Sequence, residues 1–437
     1  MQSVEQKYLI LCNQLNDMDK NVLKSVMVEN RHEVEKQVVI PRNFVFEEFG
    51  NYVFVGIRRA GKSFLMYQRM QQLLSQGVDW SEMLYVNFED ERLDGMQTED
   101  LNSILECHFE EFGKRPILFL DEIQIVPGWE KFARRLADQK YRVYITGSNA
   151  HMLSAEFMTT LGGRYIPVNI YPYSFVEFLD VNNVPHSEND MLATPARALI
   201  KNRFNDYLLF GGFPESALMQ TKRDYINSVY QKIYLNDIAR RNDITNIAGL
   251  RVMLKKMAEG VKHPLSFNRI AAVVSSTGRK LSTNSAAKYV DCAEQAWLIT
   301  PVSNITAKTA EREGNRKYYF TDNGLMSLFL INQESALLEN LVAIALIRKY
   351  GREDEVYFCN TPNHEIDFYV PEAETAIQVA YSIADDNVRQ RELSAFKSLP
   401  KRLSCSRRIV LTLDEEETVN YEGMKIEIIP TWKWLLQ

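Results

Sequence analysis

Apolar positions along this chain follow two rhythms. Across residues 52–55, 84–88, 117–120, 143–146 and 165–170 they come in short apolar runs rich in Val, Ile, Phe and Tyr. Consecutive apolar residues of this kind suit strands covered on both faces. The longer amphipathic stretches between them read as crossover helices, so this region predicts a parallel α/β sheet. Ahead of it, Leu9, Cys12, Leu15, Met18 and Val22 keep helical spacing and predict a helix over 5–30. Beyond it, 172–245 reads as mostly helical and rich in aromatics, and 250–330 as three helices followed by two short strands. Mixed structure returns after 335. A helix is expected over 335–350, then strands near 356–359, 366–370 and 376–380. A helix near 385–398 and strands at 408–413 and 424–429 follow. No internal repeat or low-complexity tract interrupts the pattern.

Composition narrows the class without changing this outline. The chain has 437 residues, 46% hydrophobic and 25% charged, the mix of a folded globular protein. No apolar run approaches the roughly 20 residues of a membrane helix. The first residues lack a basic segment followed by an apolar one, so no signal peptide and a cytoplasmic location are expected. Cys12, Cys107, Cys292, Cys359 and Cys405 are scattered, without metal-site spacing, and read as reduced thiols. Net charge is −6, which gives no global attraction to nucleic acid. Residues 245–330 depart from that average, with twelve Lys/Arg against six Asp/Glu.

The strongest chemical signal is Gly56-Ile57-Arg58-Arg59-Ala60-Gly61-Lys62-Ser63, a complete G-x-x-x-x-G-K-[ST] phosphate loop between a strand and a helix. Its glycines let successive N–H groups face one anion, and the following helix adds its positive end. Lys62 is expected on the β- and γ-phosphates and Ser63 on Mg²⁺. Gly56, Arg58, Arg59, Ala60, Gly61 and Phe64 complete the expected nucleotide contacts. The apolar run 116–120 ends in Asp121-Glu122. A strand ending in Asp places a carboxylate beside the Mg²⁺ of a phosphate loop, and Glu122 can take the proton of the attacking water. At the tip of the next strand, Ser148 or Asn149 can meet the γ-phosphate; either can equally cap the helix that follows. Arg164, after Gly162-Gly163, offers a planar fork for phosphate oxygens and could reach a neighbouring subunit's site, or be an ordinary surface residue.

Taken together, Gly56–Ser63, 117–129, 145–149 and 163–175 resemble one family, the predicted bacterial and archaeal ATPases of the AAA+ superfamily with a C-terminal domain of unknown function. Gly211-Gly212-Phe213-Pro214-Glu215, Tyr234-Leu235-Asn236-Asp237-Ile238 and Tyr319-Phe320-Thr321-Asp322-Asn323-Gly324-Leu325 resemble that family's later motifs. The resemblance implies a P-loop AAA+ parallel sheet, a winged-helix segment and an α/β C-terminal domain of the PD-(D/E)xK nuclease type. It implies ATP and Mg²⁺ as cofactors, Asp121 on the metal, Glu122 as base, Ser148 or Asn149 as γ-phosphate sensor and Arg164 as finger. It also implies a homo-oligomer. The expected divisions are 1–40, 41–175, 176–250, 251–330 and 331–437.

Residues 266–330 fit a winged helix: 267–275, a turn at Thr277-Gly278, a recognition helix over 282–295, and wing strands at 297–302 and 316–320. Arg279, Lys280, Lys288, Lys308, Arg312, Arg316 and Lys317 are its candidate phosphate contacts. A protein-contact role is the alternative. In the last segment Glu339 on a helix, Asp367 on a strand and Gln378 on the next strand match the acidic part of a nuclease centre. Ala380 stands where that pattern needs lysine, so a nuclease-like remnant with little activity is expected. The function read from the sequence is an ATP-hydrolysing protein that couples nucleotide state to assembly, DNA or a protein partner. An ATP-regulated nuclease and a non-hydrolysing scaffold are the alternatives.

Overall fold

The computed structural model describes residues 19–437 apart from 332–333, 353–354 and 362–364. It divides into two compact units. The first comprises the described residues up to Gly56 together with Gly61–Ile170, and the second Ile57–Ala60 with Tyr171–Gln437.

In the first unit, helix α1 (Lys20–Lys36) begins where the Asp19 carboxylate accepts the N–H of Asn21, and it buries Leu23, Val26, Asn30 and Val34 on one face. The expectation of a helix over 5–30 is met from residue 20 onward and extended to 36; its residues 5–18 lie outside the described ones. The sheet has five parallel strands: β1 (Tyr52–Val55), β2 (Met83–Asn87), β3 (Ile117–Asp121), β4 (Val143–Gly147) and β5 (Ile166–Asn169). Their order is β2-β3-β4-β1-β5. All four residues of β1 and all five of β4 are buried, as their unbroken apolar runs require. Tyr144 stacks on Phe119 at 4.7 Å and 6° and on Tyr52 at 5.8 Å and 7°, in register across three adjacent strands. Such stacked pairs add to simple burial and pin the register of the strands that carry the site. Helix α2 (Lys62–Ser75) starts at the phosphate loop, and α3 (Leu101–Phe112) and α4 (Trp129–Asp138) are further helices.

The second unit opens with helices, the longest of them α5 (Thr194–Phe210). Helices α6 (Phe267–Ser276) and α7 (Thr283–Gln295) lie where the two helices of a helix-turn-helix were expected, with Ser282 accepting from the N–H of Ser285 as the N-cap of α7. Among the described residues, nine strands make one sheet in the order β13-β14-β12-β11-β10-β9-β7-β8-β6. They are β6 (Leu265–Ser266), β7 (Ile299–Asn304), β8 (Asn315–Phe320), β9 (Tyr357–Asn360), β10 (Glu365–Val370), β11 (Thr375–Val379), β12 (Arg407–Thr412), β13 (Glu417–Tyr421) and β14 (Met424–Pro430). The hairpin β7–β8 joins this sheet because β7 pairs in parallel with β9, Ser303 opposite Tyr357. The sheet therefore runs unbroken across residue 330. Between β8 and β9 lies α8 (Glu334–Tyr350), and α9 (Asp386–Ala395) falls between β11 and β12. Strand β13 escaped the sequence reading. None of its residues is buried, so no apolar run marks it.

The segment 319–325 is a hub of this unit. Asp322 accepts the N–H of Gly212 at 2.8 Å and of Gly324 at 2.8 Å. Asn323 donates to the carbonyls of Leu208 and Leu337, and Asn340 pairs with both backbone groups of Phe320. Burial pushes the Asp322 carboxyl up to about 6 against the pull of these N–H groups. A Cβ on Gly212 would lie 2.2 Å from the Tyr173 carbonyl oxygen, so only glycine fits there.

Candidate active site

The C-terminal ends of β3 and β4 converge on the start of α2. At Gly56, an added Cβ would lie 2.0 Å from the Ile170 carbonyl oxygen, which fixes glycine at the head of the loop. Lys62 is almost wholly buried, and its Nζ donates to the Gly56 carbonyl at 3.0 Å and lies 3.5 Å from Glu122 Oε1. The ammonium thus bridges the loop and the acidic strand end.

Asp121 is enclosed by hydroxyl donors. Thr146 donates to its Oδ1, Tyr85 donates to its Oδ2 at 2.8 Å, and Ser63 donates to the same carboxylate. The Tyr67 hydroxyl stands 3.0 Å from that of Tyr85, extending the chain. Burial, and then the neighbouring Glu122 charge, push the Asp121 carboxyl upward, while the hydroxyl donors pull it back. Burial also holds Tyr85 well above its ordinary value, so it remains a donor. A carboxylate and a serine hydroxyl brought together are the hard oxygen ligands that suit Mg²⁺.

Glu122 sits in the left-handed region at φ 55°, a conformation that costs on the order of 1 kcal/mol for a residue with a side chain. Its N–H donates to Thr146 Oγ1 at 2.9 Å. Its Oε2 accepts from the Ser148 N–H at 3.2 Å and from Gln124 Nε2 at 2.5 Å. Thr146 therefore clamps both acids, donating to one and accepting from the backbone of the other. The Ser148 hydroxyl is buried without a hydrogen-bond partner beside this carboxylate. Asn149 is spent differently: its Oδ1 accepts the His151 N–H at 2.9 Å and caps the short helix Ala150–Leu153.

Arg164 is held within its own unit. Its Nε donates to Asp138 Oδ1 at 2.6 Å and its Nη1 to the carbonyl of Gly162 at 3.2 Å. In the second unit, Arg58 grips the buried Asp237 through two bonds, 3.0 and 3.2 Å, and Arg59 pairs with Glu215 at 2.8 Å. Ala60 is fully buried, and Phe64 is partly exposed, its ring centroid 5.3 Å from that of Tyr67.

Among the basic residues of 266–330, Arg279, Lys280, Lys288 and Lys308 are exposed, and Arg312 and Arg316 are half-buried. Lys317 corrects the sequence reading. It is fully buried and cannot meet a phosphate backbone at the surface, because alternation along β8 turns it toward Glu339 at 3.1 Å. Asp367 lies on β10, and its Oδ2 accepts the Val379 N–H at 2.8 Å. Gln378 spans from the Asp367 N–H to Glu392. Burial and the Glu339 charge push the Asp367 carboxyl up to about 7.

Four side chains at these two centres were given no such part by the sequence: Thr146 and Gln124 lay in the resembling segments without a role, Lys317 was given another role, and Tyr85 lay in no motif. Thr146 alone left a trace, as a hydroxyl inside an otherwise apolar strand.

A family described as "AAA domain" matches residues 49–179, and a "Domain of unknown function (DUF8612)" matches 201–336. An uncharacterized protein of Methanocaldococcus jannaschii is 30% identical over 433 residues, covering 96% of each chain. An uncharacterized Haemophilus influenzae protein is 30% identical over 396 residues, covering 88% of this chain and 94% of its own. Among solved structures, the Walker-type ATPase PABY2304 of Pyrococcus abyssi is 14% identical, covering 68% of this chain and 99% of its own, with a TM-score of 0.40. The Aeropyrum pernix Orc1 protein in complex with DNA is 17% identical, covering 68% and 88%, with a TM-score of 0.29.

Proposed function

We propose that this chain, which belongs to the same family as the uncharacterized Methanocaldococcus jannaschii protein and carries an AAA domain, binds and hydrolyses ATP. Its nucleotide state governs self-assembly and the binding of a partner. The observation that carries the reading is the single network of Lys62, Asp121, Glu122, Thr146 and Ser148.

Each group has a distinct task. Lys62 exchanges the Gly56 carbonyl for oxygens of the β- and γ-phosphates, neutralising charge that builds in the transition state. Ser63 and Asp121 would hold Mg²⁺, which neutralises phosphate charge when bound. Glu122 takes a proton from the attacking water. The water oxygen bonds to the γ-phosphorus as the bond to the β–γ bridging oxygen breaks, releasing phosphate and ADP. Thr146 keeps Glu122 aimed by fixing its backbone, and Ser148 offers its unpartnered hydroxyl to the γ-phosphate or the water. Arg164 leaves Asp138 to approach the site of a neighbouring copy. Arg279, Lys280, Lys288 and Lys308, all exposed, are the cations that a nucleic-acid partner would meet.

Titration calorimetry with Mg²⁺ and ATP tests the reading. The unaltered chain should bind, and Lys62→Ala should lose detectable binding. An unchanged dissociation constant in Lys62→Ala would remove the phosphate loop from the account.

A further inference from the structure

Two segments that carried the family resemblance, 211–215 and 234–238, each contain an acid that ATP hydrolysis does not use, Glu215 and Asp237. Both acids meet the phosphate loop. The tip of that loop, Ile57–Ala60, belongs to the second unit. Arg58 lies side-on to Asp237, its Nε donating to Oδ2 at 3.0 Å and its Nη2 to Oδ1 at 3.2 Å. Arg241 Nη2 adds a longer bond to the same Oδ1, 3.4 Å. Arg59 Nη1 donates to Glu215 Oε1 at 2.8 Å.

Exposure separates the two pairs. Arg59 and Glu215 are 51% and 41% exposed, where an ion pair is worth little. Arg58 and Asp237 are only 13% and 4% exposed. A two-bond guanidinium–carboxylate pair fixes orientation as well as distance, and losing either partner leaves a buried charge uncompensated. Arg58–Asp237 is therefore the anchor of the loop tip. The shape it anchors is a costly one. Arg59, the next residue, sits at φ 65°, in the left-handed region, which a residue with a side chain keeps only where its surroundings enforce it. Ala60 is fully buried, and its N–H donates to the Ile57 carbonyl at 3.2 Å to close the turn. A loop already set for phosphate loses less freedom on binding than one the ligand must order. Asp237 itself lies in a π-helical segment, Ile233–Arg240, a rare geometry that recurs at functional sites.

We infer that Asp237 is a positioning residue for ATP: acting through Arg58, it holds the phosphate loop in the form that takes the phosphates. This role rests on the ATP reading of the loop and adds to it a residue outside the nucleotide motifs. Such coupling is reciprocal, so bound ATP must in turn steady residues 233–240.

Titration calorimetry with Mg²⁺ and ATP on the full chain, joined to amide hydrogen exchange, tests it. Asp237→Asn should raise the ATP dissociation constant at least ten-fold. Asp206→Asn, which removes an acid paired with Lys222 in the same unit, should leave it within two-fold. Arg58→Met should weaken binding as Asp237→Asn does. Adding Asp237→Asn to Arg58→Met should cost no more than a further two-fold, because the two side chains act as one unit, whereas independent structural defects would multiply. In the unaltered chain, ATP should slow exchange over 233–240 more than over α5, a readout that needs no variant. Circular dichroism establishes that each variant is folded. A parent chain that binds no ATP would overturn the ATP reading and this role with it. If the parent binds ATP, the role alone is overturned by a folded Asp237→Asn of equal affinity, by multiplied losses in the double variant, or by exchange over 233–240 that ATP leaves unchanged.

Discussion

The chemistry of the first unit turns on single side chains that do two jobs. Thr146 is the clearest case: one hydroxyl satisfies Asp121 and the Glu122 backbone together. Thr146→Val keeps the shape of the side chain but leaves the Glu122 N–H without its acceptor and takes one of three hydroxyl donors from Asp121, at a cost of about 1–3 kcal/mol. Urea denaturation should register that loss, and Thr146→Ser should recover most of it. Equal stability of the valine variant would contradict the clamp. The sequence revealed Lys62, Ser63, Asp121 and Glu122 because the phosphate loop and the acidic strand end fix residue type at fixed spacing. It left Ser148 and Asn149 equivalent, since either could cap a helix or face a phosphate. The structure places the two differently: the Ser148 N–H donates to Glu122, and Asn149 caps Ala150–Leu153. Lys317 was misplaced for a different reason. A count of basic residues carries no information about which face of a strand each one takes.

At the scale of elements, the helix-turn-helix and the turn before β5 each make a separate demand. The cap at Ser282 and the limits of α6 and α7 were readable from capping residues and helical spacing. Whether that unit meets DNA depends on its exposed cations. Charge reversal at Arg279, Lys280 and Lys288 together should abolish a salt-sensitive affinity for duplex DNA, measured by fluorescence anisotropy, while reversal at Glu311 should not. Affinity that survives the triple reversal would make α6 and α7 a protein-contact module. At the turn before β5, Arg164 pairs with Asp138, and both side chains are well exposed to solvent, about 32% and 48%. An ion pair so placed is worth at most about 1 kcal/mol. Arg164→Ala should therefore melt almost as the parent does, yet lose turnover, since a finger arginine is worth about 10³–10⁵ in rate. Mixing it with the inactive Lys62→Ala should restore part of the activity, because some interfaces then regain both intact halves. No rescue, once subunit exchange is established, would confine Arg164 to its ion pair with Asp138.

For the whole molecule, the parallel sheet was legible to within a residue or two per strand: burial leaves apolar runs in β1 to β4, whereas the edge strand β5 is mostly exposed, contrary to the expectation of a strand covered on both faces. The continuity of the second sheet was not legible. The pairing of β7 with β9 joins segments more than fifty residues apart and leaves no local mark in either strand. The Gly-Gly and Asp-Asn-Gly motifs of the second unit, which carried the family resemblance, serve architecture through Gly212, Asp322 and Asn323. The central claim of the proposal is that Glu122 acts as the base of an ATP-hydrolysing site. Phosphate release under saturating ATP and Mg²⁺, compared between the parent chain and Glu122→Gln with ATP affinity measured in parallel, addresses this most directly. The account predicts steady release by the parent. It predicts that Glu122→Gln binds ATP with a similar dissociation constant and turns over about 10²–10⁴-fold more slowly, the usual worth of a positioned base. Parent-like turnover in Glu122→Gln, or a parent chain that binds ATP and releases no phosphate, would contradict it.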